Sequence, residues 1–271
     1  MNKVDLVLWA MMMLSKNLLL LTTFLFSGTL MGAPSKVLKV GMELAYPPFE
    51  MTDKAGKPDG ISVGIAKALG KKLNRTVQIE NMSFDGLIPA LKTGSIDLVI
   101  SSLTVNEERK KSIDFSTPYV KTGLALLVGS DTKIQNEEDL KKAGTRVAVK
   151  KGTTAHAWAS KNLPKAKLLV LDKETSAVLE VVQKKADAFI YDQMSVYKHW
   201  IKNRNTTRAL LKAFQEESWA IGIKKGNKKL VEDVNQFIQE FRKEQGFDNL
   251  ATEYLGEEKQ VFKELGVNFI L

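Results

Sequence analysis

The residues best equipped for chemistry lie between Ser101 and Arg109. Ser101, Ser102 and Thr104 present three hydroxyls directly after a short apolar run, residues 96–100, and Arg109 adds a forked cation five positions beyond Thr104. The spacing Thr104-x-x-Glu107 reads as a capping box that opens a helix. Hydroxyls, the free N–H groups of a helix start and a guanidinium gathered at one point suit a carboxylate. The same spacing also fits a plainer role, in which Thr104 only caps and Arg109 is a solvated charge. Two further places carry polar groups at helix starts. Gly152-Thr153-Thr154 follows a strand-like run and offers backbone donors to an anion. Asp192 follows another strand and either accepts from an ammonium or caps the helix that begins at Gln193.

The elements that must position these groups alternate between strand and helix. The apolar patterning predicts strands at 37–41, 77–79, 96–100, 124–128, 146–149, 168–171, 186–190 and 219–223. It predicts helices at 62–73, from 84 to about 93, at 136–142, 155–162, 176–184, 193–202, 229–245 and 247–254, with a short apolar tail after them. Pro47-Pro48 forbids helix there and predicts an extended path. The order is that of an α/β fold with parallel sheets, in two units of roughly a hundred residues each. One lobe is expected to comprise 34–122 plus 218–271 and the other 123–217. Strand-like crossings near 122–128 and 218–223 would join them, with the C-terminal helices returning to the first lobe. Ligands of open α/β sheets bind beyond the carboxyl ends of the strands, which would face the cleft between lobes.

Composition removes whole classes of function. The 271 residues contain no cysteine, which excludes disulfides, thiolate metal sites and a cysteine nucleophile. Only His156 and His199 are histidines, neither at metal-ligand spacing, and each reads as a helix-surface residue. The formal charge of +9 is carried by scattered lysines, such as Lys141-Lys142, Lys150-Lys151, Lys184-Lys185 and Lys224-Lys225, near acidic neighbours. No basic stripe interleaved with aromatics is present, so the charge reads as a solvated surface and not as a nucleic-acid site. Residues 1–33 have a basic residue, Lys16, a short leucine-rich core and small residues after it, the pattern of a secretory signal peptide. Asp5 and an extra apolar run precede Lys16, so a start at Met11, Met12 or Met13 would leave a conventional signal; an uncleaved anchor is the other reading.

Taken together, Tyr46-Pro47-Pro48-Phe49-Glu50, residues 84–91 (Phe-Asp-Gly-Leu-Ile-Pro-Ala-Leu) with Gly94-Ser95-Ile96-Asp97, and residues 104–109 with Asp114-Phe115-Ser116-Thr117-Pro118-Tyr119 carry a resemblance. Over nearly the whole chain after the signal, the sequence resembles the periplasmic binding proteins for polar amino acids that serve ABC importers, solute-binding family 3. The resemblance implies a two-lobed type II binding-protein fold with two hinge crossings that closes on one free amino acid. It implies no enzyme activity, no cofactor and no metal, a monomer, a periplasmic location and a membrane permease as partner. It places the ligand α-carboxylate on Arg109, assisted by Ser102, Thr104 and Thr154, and the α-ammonium on Asp192, with the backbone near Ser101 or Ser102 helping. Tyr46 and Phe84 match the aromatic walls, and Glu43 stands where an acid meets a cationic side chain such as arginine, lysine, ornithine or histidine. These roles agree with the chemistry of the residues. A zwitterion leaving water needs a partner for each charge, Arg109 can chelate a carboxylate, and Thr153-Thr154 add helix-start donors. Two alternatives remain: a cyclohexadienyl dehydratase-like enzyme on the same scaffold, with Glu43 or Asp192 as general acid, and a sensory module for a membrane receptor.

Overall fold

A computed structural model describes residues 37–264 of the chain. The expected signal peptide and its alternative starts lie outside the described residues. Two five-stranded sheets form the framework. The first contains β1 (Val37–Met42), β4 (Thr76–Asn81), β5 (Leu98–Val99), β6 (Ile113–Phe115) and β12 (Gly222–Lys224), in the order β4-β1-β5-β12-β6. The second contains β7 (Val120–Gly129), β8 (Arg146–Lys150), β9 (Lys167–Leu171), β10 (Ala188–Asp192) and β11 (Thr207–Trp219), in the order β11-β7-β10-β8-β9. A small hairpin of β2 (Met51–Thr52) and β3 (Pro58–Asp59) sits apart from both.

The parallel pairs are β1 with β4 and β5, and β8 with β9 and β10. The strands that return from the other half of the chain pair antiparallel instead. β12 runs against β5 and β6, and β7 runs against β10 and β11. Each sheet is therefore mixed, where the strand–helix alternation suggested parallel pairing throughout.

Helices α1 (Ile61–Lys72), α2 (Phe84–Thr93) and α3 (Glu107–Ser112) belong to the first half of the chain. α4 (Thr154–Asn162), α5 (Glu174–Val182) and α6 (Gln193–Lys202) accompany the second sheet. α7 (Lys228–Lys243), α8 (Gly246–Leu255) and α9 (Glu257–Glu264) follow β12. Residues 137–141 form a 3₁₀ turn where a short α-helix was expected.

Residues 124–128 of β7 show why that stretch is an unbroken apolar run. Leu124, Leu126 and Val128 bury into a cluster on one face, while Ala125 and Leu127 bury into a separate cluster on the other. Side chains alternate along a strand, and helices cover both faces, so no position is left for a polar residue. The first sheet has its own large core, in which Leu38, Val40 and Met42 of β1 meet Ile61, Ile65 and Leu69 of α1.

Three expectations need correction. β11 was not foreseen: only its last residue, Trp219, fell in a predicted strand, and that strand forms at Gly222–Lys224 instead. The Pro47-Pro48 segment does not run extended but turns tightly, with the Tyr46 and Glu50 backbones bridged and the Phe49 and Glu50 N–H groups donating to the Tyr46 carbonyl at 3.0 Å. Residues 257–264 form helix α9, whose Phe262 is buried against Tyr197 of α6 with ring centroids 5.3 Å apart.

Candidate functional site

One cleft with an empty volume of about 450 Å³ lies between the two sheets, and all ten residues singled out from the sequence line it: Glu43, Tyr46, Phe84, Ser101, Ser102, Thr104, Arg109, Thr153, Thr154 and Asp192. They collect there because they follow the carboxyl ends of strands. Glu43 follows β1, the serines follow β5, Thr153 and Thr154 follow β8, and Asp192 ends β10. That is the end of a parallel strand at which open α/β sheets bind ligands.

Arg109 is 8 % exposed and rises from the first turn of α3. Its Nη1 donates to the Thr104 carbonyl at 2.6 Å and its Nη2 to the Gly152 carbonyl at 3.1 Å, so the guanidinium reaches across to the loop after β8. It lies over the Phe84 ring, 5.5 Å from the centroid. Burial lowers its pKa to about 10, which leaves it charged at neutral pH. Gly152 has φ +77°, and a Cβ there would come within 2.9 Å of the Asp85 Cβ. A side chain at this position would push the loop after β8 away from the first turn of α2.

The cap of α3 is not Thr104. Asn106 caps the helix, its Oδ1 accepting from the Arg109 N–H at 2.8 Å. Thr104 instead forms an isolated backbone bridge with Trp219, and its hydroxyl donates to Glu217 Oε2 at 3.0 Å. The capping-box reading is thus overturned, and Thr104 is a lining residue of the cleft without a helical duty. Thr153 does cap, accepting from the His156 N–H at 3.2 Å at the start of α4.

Asp192 combines the two roles that its sequence position left open. It caps α6, with Oδ1 accepting from the Ser195 N–H at 3.1 Å, and it accepts from the Tyr46 hydroxyl at 2.7 Å. Burial raises its pKa to about 7; the Tyr46 hydroxyl opposes that rise and the nearby Glu174 carboxylate adds to it. A cation placed beside it would restore the carboxylate. Glu174 is itself buried and accepts from Ser195 Oγ at 2.5 Å, and it pairs with His199 Nε2 at 2.7 Å. His199 is therefore half-buried against an acid and not a free surface residue.

The sequence missed several members of the cleft. Glu50 is 1 % exposed and accepts from Ser62 Oγ at 2.5 Å; burial pushes its pKa up to about 8 against the pull of the neighbouring serine hydroxyls. Glu217 of β11 is also raised by burial, with the Thr154 and Thr104 hydroxyls holding it down. Tyr191 and Trp219 complete an aromatic wall with Tyr46, at ring-centroid distances of 6.1 and 6.0 Å from it. Acids at the end of a polar strand give no local signal; only the pairing of β11 with β7 brings Glu217 to the cleft.

The largest correction concerns Lys150, taken with Lys151 as surface charge. Lys151 is exposed and pairs with Asp85 at 2.9 Å, but Lys150 is 2 % exposed and forms an ion pair with Glu43. Its Nζ lies over the Phe84 ring, 5.4 Å from the centroid. The carboxylate expected to receive a ligand's cationic side chain already holds a cation of the protein. Among the described residues, no group of three or more His, Cys, Asp or Glu side chains is arranged to hold a metal ion.

Known proteins are similar to this chain in sequence and in fold. The L-cystine-binding protein TcyJ of Escherichia coli (strain K12) is 31 % identical over 221 residues, covering 81 % of this chain and 82 % of that protein. Among solved structures, an ancestral arginine-binding protein bound to glutamine matches with a TM-score of 0.76 and 34 % identity, covering 83 % of this chain and all of the other. An ancestral amino acid-binding protein that is a precursor of cyclohexadienyl dehydratase matches with a TM-score of 0.74 and 37 % identity, over 81 % and 95 % of the two chains. These neighbours have the two-lobed binding-protein fold, and this chain shares it. The family model for bacterial extracellular solute-binding proteins, family 3, matches residues 38–257, and the chain belongs to that family.

Proposed function

We propose that the protein is a periplasmic receptor that binds one free amino acid and delivers it to the permease of an ABC importer. The observation that carries this reading is the meeting, in one cleft, of Arg109 from the first half of the chain with Asp192 from the second sheet. A zwitterion leaving water is stabilised only when both charges find partners. Arg109 takes the α-carboxylate, with the hydroxyls of Ser102, Thr104 and Thr154 beside it. Asp192 takes the α-ammonium, and Tyr46 and Phe84 flank the ligand stem. The lobes are 34–122 plus 218–271 and 123–217, and they close about the crossings near 122–128 and 218–223. The protein acts as a monomer, is secreted by its N-terminal segment, and binds without converting its ligand.

Relatives named for cystine, histidine, arginine and glutamine support an amino acid as ligand. The finer expectation of a cationic side chain rested on Glu43 as a free carboxylate together with the aromatic faces of Tyr46 and Phe84. Lys150 now answers that charge, so Glu43 no longer supports it. A thermal-shift screen over the amino acids, followed by calorimetry, tests the receptor reading. Arg109→Ala should weaken binding by roughly 2–5 kcal/mol, the range for removing one member of a buried charge pair. Unchanged affinity in that variant would remove Arg109 from the ligand site. Formation of an aromatic product from prephenate would favour the dehydratase reading instead.

A further inference from the structure

Glu174 is the first residue of α5 and is 7 % exposed, yet it is not among the residues that line the cleft. Its Oε1 accepts from Ser195 Oγ at 2.5 Å and meets His199 Nε2, one turn further along α6, at 2.7 Å. Ser195 also donates its backbone N–H to Asp192 Oδ1 at 3.1 Å. One buried residue thus holds two carboxylates, Asp192 by its backbone and Glu174 by its hydroxyl. Glu174 Oε2 is buried and has no hydrogen-bond partner among the described residues.

With the α-ammonium on Asp192, as proposed, we infer that Glu174 is a positioning residue of the ammonium site: through Ser195 it fixes the turn of α6 that Asp192 caps, and its charge, balanced by His199, sets the pH at which the site accepts a cation.

A carboxylate buried with one oxygen unanswered costs stability, so packing alone does not account for an acid at this position. Its charge acts on the cleft. Burial is the chief cause that raises Asp192 to about 7, and the Glu174 carboxylate adds to it. Burial also leads for Tyr46 and Tyr191, and Glu174 raises both of those phenols as well. The other charges nearby are placed differently. Glu217 of β11 raises Asp192 less than Glu174 does. Lys198 of α6 turns to Glu258 of α9 at 3.7 Å, and of the charges acting on it, Lys202 included, Glu174 is the weakest. Among the described residues, His199 is the side chain able to carry a positive charge in contact with Glu174. Two like charges joined through one residue ionise together only at a cost, so the pair retains a proton. An ammonium in the cleft is drawn by both acids and releases that proton.

Calorimetric titrations with the twenty amino acids and cystine at pH 7 find the tightest of them, which is then titrated at pH 6 and pH 8. The same amino acid serves throughout, so its own titration cancels between variants. Asp192 should make wild-type binding about tenfold weaker at pH 6 than at pH 8. Glu174→Gln keeps an acceptor for Ser195 Oγ and removes the charge; Asp192 then ionises at lower pH, and the ratio should fall below about threefold. A Glu174 that serves only the packing of α6 would lose affinity equally at both pH values, and a ratio still near tenfold overturns the inference alone. His199→Gln keeps a donor toward Glu174 but uncovers its charge, so the ratio should rise above about twentyfold. In the Glu174→Gln background the same histidine change should leave the ratio where it was; a further change there overturns the role of His199 as the balance of Glu174. Should Glu174→Gln not fold, His199→Gln decides, and an unchanged ratio overturns the inference. Wild-type affinity that is flat between pH 6 and 8 takes the ammonium off Asp192 and overturns that placement together with the inference. Binding of none of the amino acids overturns the receptor reading as well.

Discussion

With the α-ammonium on Asp192, as proposed, ligand binding becomes a proton-linked event whose size follows from the surroundings of that carboxyl. In the protein alone its carboxyl has a pKa of about 7, raised chiefly by burial. An α-ammonium in contact with it returns the group to the ordinary range near 4. Binding therefore expels the proton that Asp192 carried: about 0.9 per site at pH 6, about 0.5 at pH 7 and about 0.1 at pH 8. Because the binding form is the carboxylate, affinity rises as pH rises through 7. The dissociation constant should be about tenfold weaker at pH 6 than at pH 8, a difference of about 1.4 kcal/mol. Titration calorimetry at pH 7 in phosphate and in Tris reads the released proton directly, since the two buffers absorb it with different heats. Asp192→Asn should bind more weakly and lose the buffer dependence. Equal heats in both buffers, together with an affinity that stays flat between pH 6 and 8, would refute the assignment of the ammonium to Asp192.

Tyr46→Phe removes the hydroxyl that holds Asp192 down, so the pH midpoint of binding should move upward, and the lost hydrogen bond should cost roughly 0.5–1.5 kcal/mol in urea melts. Glu50 has its pKa pushed up to about 8, so its ionisation opposes folding as pH rises from about 4 to 8. Glu50→Gln should therefore stabilise the protein more at pH 8 than at pH 5, by an amount on the order of 3 kcal/mol, measured by thermal or urea unfolding at the two pH values. Asn106→Ala should cost about 1 kcal/mol of stability through the lost cap of α3, whereas Thr104→Ala should leave that cap intact, which urea melts of the two variants compare.

The fold was legible wherever pattern and burial agree. β7 is apolar and buried from Leu124 to Val128, and that run reads as a strand without help. β11 was not, because its sequence, Thr-Arg-Ala-Leu-Leu-Lys-Ala-Phe-Gln-Glu-Glu-Ser-Trp, mixes charge and apolar residues without alternation. It is an edge strand, mostly half-buried, and its form is imposed by β7 along a ladder from Thr207↔Gly129 to Trp219↔Val120. At the cleft, every chosen residue lines the wall because strand ends and loop chemistry are local signals. The capping box pointed to Thr104, but Thr104 is bridged to Trp219, 115 positions away, and the cap falls to Asn106. Lys150 and Lys151 look alike in sequence, and only the direction of side chains at the end of β8 sends one inward to Glu43 and the other out to Asp85.

The ladder between β7 and β11 has a consequence for how such a receptor can be rebuilt. Val120 and Trp219 pair directly, so the chain leaves the first sheet and comes back to it at adjacent points. Paired residues on antiparallel strands stand about 5 Å apart, and segments whose ends meet so closely are those that tolerate transplantation. Residues 120–219 form a cassette that carries Lys150, Thr153 and Asp192, while Glu43, Phe84 and Arg109 stay in the host. Exchanging that cassette with a relative's would replace half of the cleft in one step and leave Arg109, the proposed anchor for the α-carboxylate, in place.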